Sequence, residues 1–292
     1  MSGDPGFTLF NKMAIIGVGL IGGSISLKLK ELGLVNEVIG FGRSESNLET
    51  AKDLGVIDEY HRDFQYLHDA DIVIVATPVN SIIHLVKQIA PICKKGAIVT
   101  DVGSVKEDIS KKVGQNHLPN IHFVPGHPIA GTENSGAKAA FPSLFEKKRC
   151  VLTPTKLTDQ GALSTVKLMW EKLGAEVVIM EPNLHDKIFA AISHLPHIIA
   201  YTLVKCADNM KDIDDDILSY SAGGFLDFTR IASSDPEMWR DICLMNKSNI
   251  VDTIERFEKT LSEIKKAINS SDGHRIYEDF HTSKKAREKL LK

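Results

Sequence analysis

Three stretches of this 292-residue chain gather side chains suited to acid–base or anion chemistry. Asp101-Val102-Gly103-Ser104-Val105-Lys106 stands where a predicted strand, Ala97–Asp101, ends, and Gly126-His127-Pro128-Ile129-Ala130-Gly131-Thr132-Glu133 follows the next, His122–Pro125. Ligands of open α/β sheets collect at the carboxyl ends of strands, so Ser104 and His127 are expected over one sheet edge. His127 suits proton removal from an alcohol because imidazole titrates near neutrality. Ser104 has a compatible structural use: with Glu107 it spells the S-x-x-E box that caps a helix. The third stretch, Ser193-His194-Leu195-Pro196-His197, sets Ser193 and His197 four apart on one helical face. No carboxylate or thiol accompanies its histidines at ligand spacing, so no metal is expected. Further on, Gly223-Gly224-Phe225-Leu226-Asp227-Phe228-Thr229-Arg230 puts an arginine behind a glycine-rich bend, placed to grip a carboxylate bidentately. A plain Arg230–Asp227 ion pair is the alternative.

These groups act only if something holds a co-reactant beside them. Gly17-Val18-Gly19-Leu20-Ile21-Gly22 reads G-x-G-x-x-G between an apolar strand (Met13–Gly17) and a helical pattern (Ile21, Ile25, Leu29, Leu32, closed by Gly33), the context of a dinucleotide loop. Gly17 permits the tight turn, Gly19 admits a pyrophosphate, and Gly22 lets helix pack on strand. The N–H groups of Leu20 and Ile21 open the helix toward the phosphates. The end of the second strand (Glu37–Phe41) addresses the cofactor's ribose. An acidic residue there hydrogen-bonds the 2′-hydroxyl of NAD, but here Gly42 is followed by Arg43 and Ser44, which suit a 2′-phosphate. NADP is therefore favoured. The competing reading makes Arg43 a surface charge and lets Glu45 reach the ribose of NAD.

The elements that must position these groups follow from the apolar pattern. Strands alternate with helices up to Glu176–Met180, as in a Rossmann-type parallel sheet, and Asp71–Thr77 is apolar on both faces like a central strand. Two further strands, Cys150–Thr153 and Glu176–Met180, flank a helix over Asp159–Leu173. From residue 182 onward only helical periodicity remains, with Ile250, Ile254, Phe257, Leu261 and Ile264 forming one stripe. The expected organisation is a dinucleotide-binding domain over 1–181 and an all-helical domain over 182–292, its lysine-rich end a solvated helix.

Composition excludes other classes. With 35 basic against 38 acidic side chains and 43% hydrophobic residues, the chain has neither the basic footprint of a nucleic-acid binder nor a disordered composition. No apolar run nears the ~18 residues of a membrane span, and the start lacks the basic and apolar regions of a signal peptide. Cys93, Cys150, Cys206 and Cys243 are too scattered for a disulfide framework. A cytoplasmic protein without nucleic-acid or membrane partners is expected.

Taken together, GVGLIGGS, ATPV, TDVGSVK, GHPIAGTE, SHLPH and GGFLDFTRIASSDPEMW resemble the prephenate/arogenate dehydrogenase family, over about Ala14 to Phe257. The resemblance implies removal of a hydride from C4 of a cyclohexadienol with loss of the ring carboxylate, giving an aromatic product, CO2 and reduced nicotinamide. His127 matches the histidine that takes the C4 hydroxyl proton, and Ser104 the serine that orients it. Arg230 matches the arginine binding a substrate carboxylate. Ser193, His197, Thr132 and Gly223 fall in the substrate pocket, with Glu133 and Asp227 around the arginine. Trp239 matches a tryptophan that reaches the neighbouring subunit's site, and Thr77 and Pro78 lie on the cofactor side. The helical half corresponds to the family's dimerisation domain, so a homodimer is implied. Because His197 is present, prephenate is preferred, with arogenate or dual use as the alternative. Two more distant readings are a 3-hydroxyacid dehydrogenase, which would want a lysine where SHLPH stands, and a non-enzymatic NADP-binding sensor, which would not need Ser104, His127 and Arg230 together.

Overall fold

The computed structural model describes residues 7–113, 118, 120–132 and 134–290. Six parallel strands form the first sheet: β1 (Phe10–Ile16), β2 (Val35–Phe41), β3 (Glu59–His61), β4 (Ile72–Val75), β5 (Ala97–Asp101) and β6 (Ile121–Val124). Their order is β3-β2-β1-β4-β5-β6, so the chain reverses direction of travel between β1 and β4. That switch point opens a crevice at the carboxyl ends of the strands. All four residues of β4 are buried, as its two-sided apolar pattern requires. Helices α1 (Leu20–Glu31), α2 (Glu45–Asp53), α3 (Val79–Ile89) and α4 (Glu107–Lys112) connect the strands.

A second sheet of three short strands, β7 (Gly126–Pro128), β8 (Arg149–Leu152) and β9 (Glu176–Ile179), is interrupted by helix α5 (Gln160–Lys172). The sequence reading left His127 just beyond the strand His122–Pro125. It instead sits in the middle of β7, opposite Val151 in an antiparallel pair with β8. A three-residue strand containing proline has too little alternation to announce itself, and β3 was missed for the same brevity.

The chain continues as α6 (Pro182–Phe189), a π-helical turn at Ala190–His194, α7 (Leu195–Asp208), α8 (Gly223–Thr229), α9 (Pro236–Met245), α10 (Lys247–Asn269) and α11 (Gly273–Lys289). The π turn has a local cause. Pro196 has no N–H to give the carbonyl four residues back, and a widened turn absorbs the mismatch. The expected bend at Gly223-Gly224 is instead the first turn of α8, and Arg230 opens a 3-10 turn directly after it.

Two apolar clusters sandwich the first sheet. On one face Ile25 and Leu29 of α1 share a cluster with Val166 and Trp170 of α5; on the other Ile82 and Val86 of α3 share one with Trp239 and Ile242 of α9. Leu32, expected on the buried side of α1, is its C-cap and is 42% exposed. Strands end at Ile179 and helices take over at Pro182, yet the first compact unit runs from Met1–Asn246, so α6 to α9 belong to it; α10 and α11 form the second, Lys247–Lys292. The continuous helical stretch Pro182–Asp208, 27 residues, is long and apolar enough by length and composition to cross a bilayer, which the sequence reading did not anticipate. It also carries His185, Asp186, His194 and His197, all four in the contact chain described next.

Candidate active site

The glycine loop is built as the fingerprint demands. Gly17 has φ +96°, and a Cβ there would lie 2.4 Å from the Ala76 carbonyl oxygen; at Gly22 it would lie 2.7 Å from the Gly17 carbonyl oxygen. A Cβ on Gly19, by contrast, would meet nothing within 4 Å, so the open side of the loop is at Gly19, where a pyrophosphate needs room. Helix α1 starts at Leu20 with no side-chain cap. Its first N–H groups, from Leu20 and Ile21, have no acceptor within the helix. The side chain of Leu20 is itself buried in the core, so only its backbone can serve a ligand.

A cleft of about 1060 Å³ extends from this loop, bordered by Gly17, Gly19, Arg43, Ser44, Thr77 and Pro78. These residues fit a dinucleotide: the loop is open, the helix end is uncapped, and Arg43 stands exposed where the ribose would lie. At Gly42 a Cβ would make ordinary contact with Leu48 at 3.4 Å, so sterics do not forbid a carboxylate there. Ser44 caps α2, its hydroxyl oxygen accepting from the Asn47 N–H at 3.3 Å. Glu45, the competing ribose partner, lies 3.9 Å from Arg62, which also borders the cleft.

Next to β5 a buried polar knot holds His127. Lys106 is wholly buried; its Nζ donates to the Asp101 carboxylate and, at 2.7 Å, to the Gly126 carbonyl. Asp101 in turn accepts from the Gly103 N–H at 2.8 Å and the Gly126 N–H at 3.3 Å. The residue before His127 is thereby fastened to the carboxyl end of β5. A carboxylate from α6 completes the knot: Asp186 accepts from the N–H of Lys106 at 2.8 Å and of Glu107 at 2.9 Å. This overturns the expected Ser104–Glu107 capping box. Lys106 is the N-cap of α4, and Asp186, brought by tertiary structure, satisfies the helix's opening donors and faces its positive end.

Asp186 Oδ1 also lies 2.7 Å from His185 Nδ1, and His185 Nε2 lies 2.8 Å from His127 Nδ1. Phe189 packs against both imidazoles, with centroids 5.0 and 4.4 Å away. Burial pushes the pKa of His127 well below 6.5, and the charges of His185, Lys106 and His194 push it the same way. His185 is lowered chiefly by burial, against the pull of Asp186. Both rings are thus neutral at neutral pH.

The sequence-selected residues divide. From His185–Asp186 the contacts run on through Asn246, whose amide nitrogen lies 2.8 Å from the Asp186 carbonyl and 3.1 Å from His194 Nδ1. His194 meets Trp239 edge-on at 6.0 Å, and Trp239 stacks on His197 at 3.7 Å. His197 Nδ1 donates to the Ser193 carbonyl at 2.9 Å. Trp239, for which the resemblance implied a reach into a neighbouring subunit, is 8% exposed against its own chain's histidine. Arg230 is close enough to His197 for its charge to help burial depress that imidazole's pKa. His194 is held neutral, its pKa lowered by burial to about 4. Its Nε2 and the Trp239 Nε1 are buried and have no hydrogen-bond partner among the described residues. Thr132 turns its hydroxyl to the Asn134 N–H at 3.2 Å, and Gly223 and Asp227 are exposed on α8, outside this contact chain. Glu133 lies outside the described residues. Lys106, His185, Asp186 and Asn246 were not singled out by sequence. The usable signals were the lysine closing TDVGSVK and the adjacent His-Asp at the start of a helix.

Comparison with known proteins identifies the family. Residues 25–179 match the family model described as prephenate dehydrogenase, nucleotide-binding domain, and residues 181–282 that described as prephenate dehydrogenase, dimerization domain. The chain is 38% identical to a cyclohexadienyl dehydrogenase of Zymomonas mobilis, over 96% of each. It is 36% identical to a prephenate dehydrogenase of Bacillus subtilis, over 94% of this chain and 75% of that one. Among solved structures, it matches the Aquifex aeolicus prephenate dehydrogenase in complex with hydroxyphenyl propionate and NAD+, with TM-score 0.89 and 39% identity over 96% of this chain and 98% of that one. A Rossmann-type sheet followed by helices is thus shared with these enzymes along nearly the whole chain, and the chain belongs to the prephenate dehydrogenase family.

Proposed function

We propose that this protein oxidatively decarboxylates prephenate to 4-hydroxyphenylpyruvate, with His127 as the base that removes the C4 hydroxyl proton. The placement of His127 carries this reading: a neutral, partly accessible imidazole is pinned at the sheet edge, its Nδ1 engaged by His185. A nicotinamide dinucleotide, held by Gly17, Gly19 and the N–H groups of Leu20 and Ile21, supplies the hydride acceptor when bound. As the C4 hydrogen departs with its electron pair, the hydroxyl becomes strongly acidic, so an imidazole of lowered pKa is basic enough to take its proton. Release of the ring carboxylate as CO2 aromatises the ring and leaves the electron pair of the broken bond on the C4 oxygen as a phenolate, which takes the proton back from His127, so no second acid or base is needed.

The substrate's anionic groups call for donors, and this chain clusters them. Arg230 offers a bidentate guanidinium, and Ser193, His197, His194 Nε2 and Trp239 Nε1 lie in the connected group beside it. In the same reading Thr132, Gly223 and Asp227 serve the substrate side from outside that contact chain, and Ser104 supports the hydroxyl side. The likeness to a cyclohexadienyl dehydrogenase favours some turnover of arogenate as well.

The cofactor preferred is NADP, because Arg43 and Ser44 replace a carboxylate that sterics at position 42 would allow. The working unit is a homodimer. Ile192, Leu203, Ile213 and Phe228 are large apolar side chains at 36–70% exposure within the segment matched to a dimerization domain, and such surface calls for a partner.

Four outcomes test these assignments. His127→Asn is expected to lower kcat by roughly 10²–10⁴-fold while dinucleotide affinity is retained; near-native turnover would remove His127 from the chemistry. Because the folded pKa lies below 6.5, kcat/KM should stay flat as pH falls through about 6.5 and decline only at lower pH. An acid limb with a midpoint at or above 6.5 would contradict a base held neutral by burial. Arg43→Ala should raise KM for NADP by about tenfold or more, the worth of one charge-assisted contact, and leave KM for NAD little changed. Equal effects on both cofactors would refute the phosphate role. Sedimentation equilibrium should return twice the chain mass, and a monomer at micromolar concentration would refute the dimer.

A further inference from the structure

The mechanism above needs His127 to be not merely neutral but the right tautomer, with its lone pair on the nitrogen that meets substrate. A neutral imidazole carries one N–H and one lone pair, and the hydrogen bond at one nitrogen decides the state of the other. At the far end of the chain stands Asp186, an acceptor of two backbone N–H donors from Lys106 and Glu107. Its Oδ1 is 2.7 Å from His185 Nδ1, so that nitrogen carries the proton. A neutral His185 then has its lone pair on Nε2. Since His185 Nε2 lies 2.8 Å from His127 Nδ1, the His127 nitrogen must be the donor. The lone pair of His127 is left on Nε2.

We infer that His185 and Asp186 are positioning residues that lock His127 in the Nδ1–H tautomer and so make Nε2 the base. The polarity of the relay is set by the one member that cannot donate, the Asp186 carboxylate. Its backbone donors come from the same buried knot that fastens Gly126, so ring position and tautomer are fixed by one set of contacts. When Nε2 takes the proton, both nitrogens of His127 carry hydrogen. The Nδ1–H bond to His185 remains, and the charge gained is supported through His185 by Asp186. Neither residue needs to touch the substrate. The inference rests on His127 being the base, and the test separates the two.

Histidine uniformly labelled with nitrogen-15 gives long-range nitrogen–proton correlations that distinguish the two neutral tautomers; the His127 signals are identified by their loss in His127→Asn. The unliganded wild-type protein should show His127 protonated at Nδ1 and bare at Nε2 at neutral pH, and the opposite pattern would overturn the inference whatever the kinetics of the variants. His185→Phe keeps ring volume and leaves Asp186 on the α4 donors, but removes the acceptor for His127. It should lower kcat by roughly 10–100-fold, the range typical of a lost orienting partner, with dinucleotide affinity unchanged. His185→Gln can offer an amide oxygen to His127 Nδ1 and should recover most of that loss. Wild-type kcat in His185→Phe, or no recovery in His185→Gln, would overturn the positioning role. Full activity of His127→Asn would instead overturn the base assignment on which it rests.

Discussion

A wholly buried lysine organises the reacting end of this protein. A lysine charge deprived of water must be paired and hydrogen-bonded, and losing one partner of such a pair typically costs about 3–5 kcal/mol. Lys106 meets that requirement through Asp101 and the Gly126 carbonyl, while its backbone N–H serves Asp186. One residue thereby ties the end of β5 to β7 and to α6, three elements far apart in sequence. His127 follows Gly126 directly, so its backbone inherits the rigidity of the knot. Its ring is then oriented by the histidine that Asp186 holds. Position and chemistry of the proposed base therefore rest on the same few contacts.

The parallel sheet and glycine loop were legible because their signals are local. A run such as Asp71–Thr77 is apolar on both faces, and only Gly17 tolerates φ +96° against the Ala76 carbonyl. His127 was legible as a residue near a strand end, but not as part of a second sheet, since β7 has three residues and gains its identity from β8. The capping box at Ser104 shows a local pattern yielding to tertiary structure: Asp186, 79 and 80 residues from its two donors, took the task. His185 was invisible for the same reason, its partner in the relay lying 58 residues away. Nothing short-range announces a pairing of that span. The π turn before α7 was foreshadowed only by Pro196, whose effect on helical register depends on what precedes it.

The helical stretch after β9 has two tasks that explain its mixed character. Pro182–Asp208 carries His185, Asp186, His194 and His197 into the contact chain around His127, and it also presents large apolar side chains such as Ile192 and Leu203 to solvent. A helix that is apolar enough to enter a membrane and yet holds the site's histidines fits a subunit interface better than a lipid one. In the proposed reading the segment matched to a dimerization domain also carries the substrate-side residues, with α9 anchoring it to the sheet through Trp239 and Ile242. The Rossmann-type half is the nucleotide-binding domain, and in the proposed reading the helices supply what distinguishes this chemistry from other dehydrogenations.

The most direct test of the account is the stoichiometry of a single reaction mixture containing the purified protein, prephenate and a nicotinamide dinucleotide, with reduced nicotinamide and CO2 measured together. One CO2 released for each nicotinamide reduced, with 4-hydroxyphenylpyruvate as product, is the expected result. Reduction without CO2, or no reduction with either NAD or NADP, would contradict it.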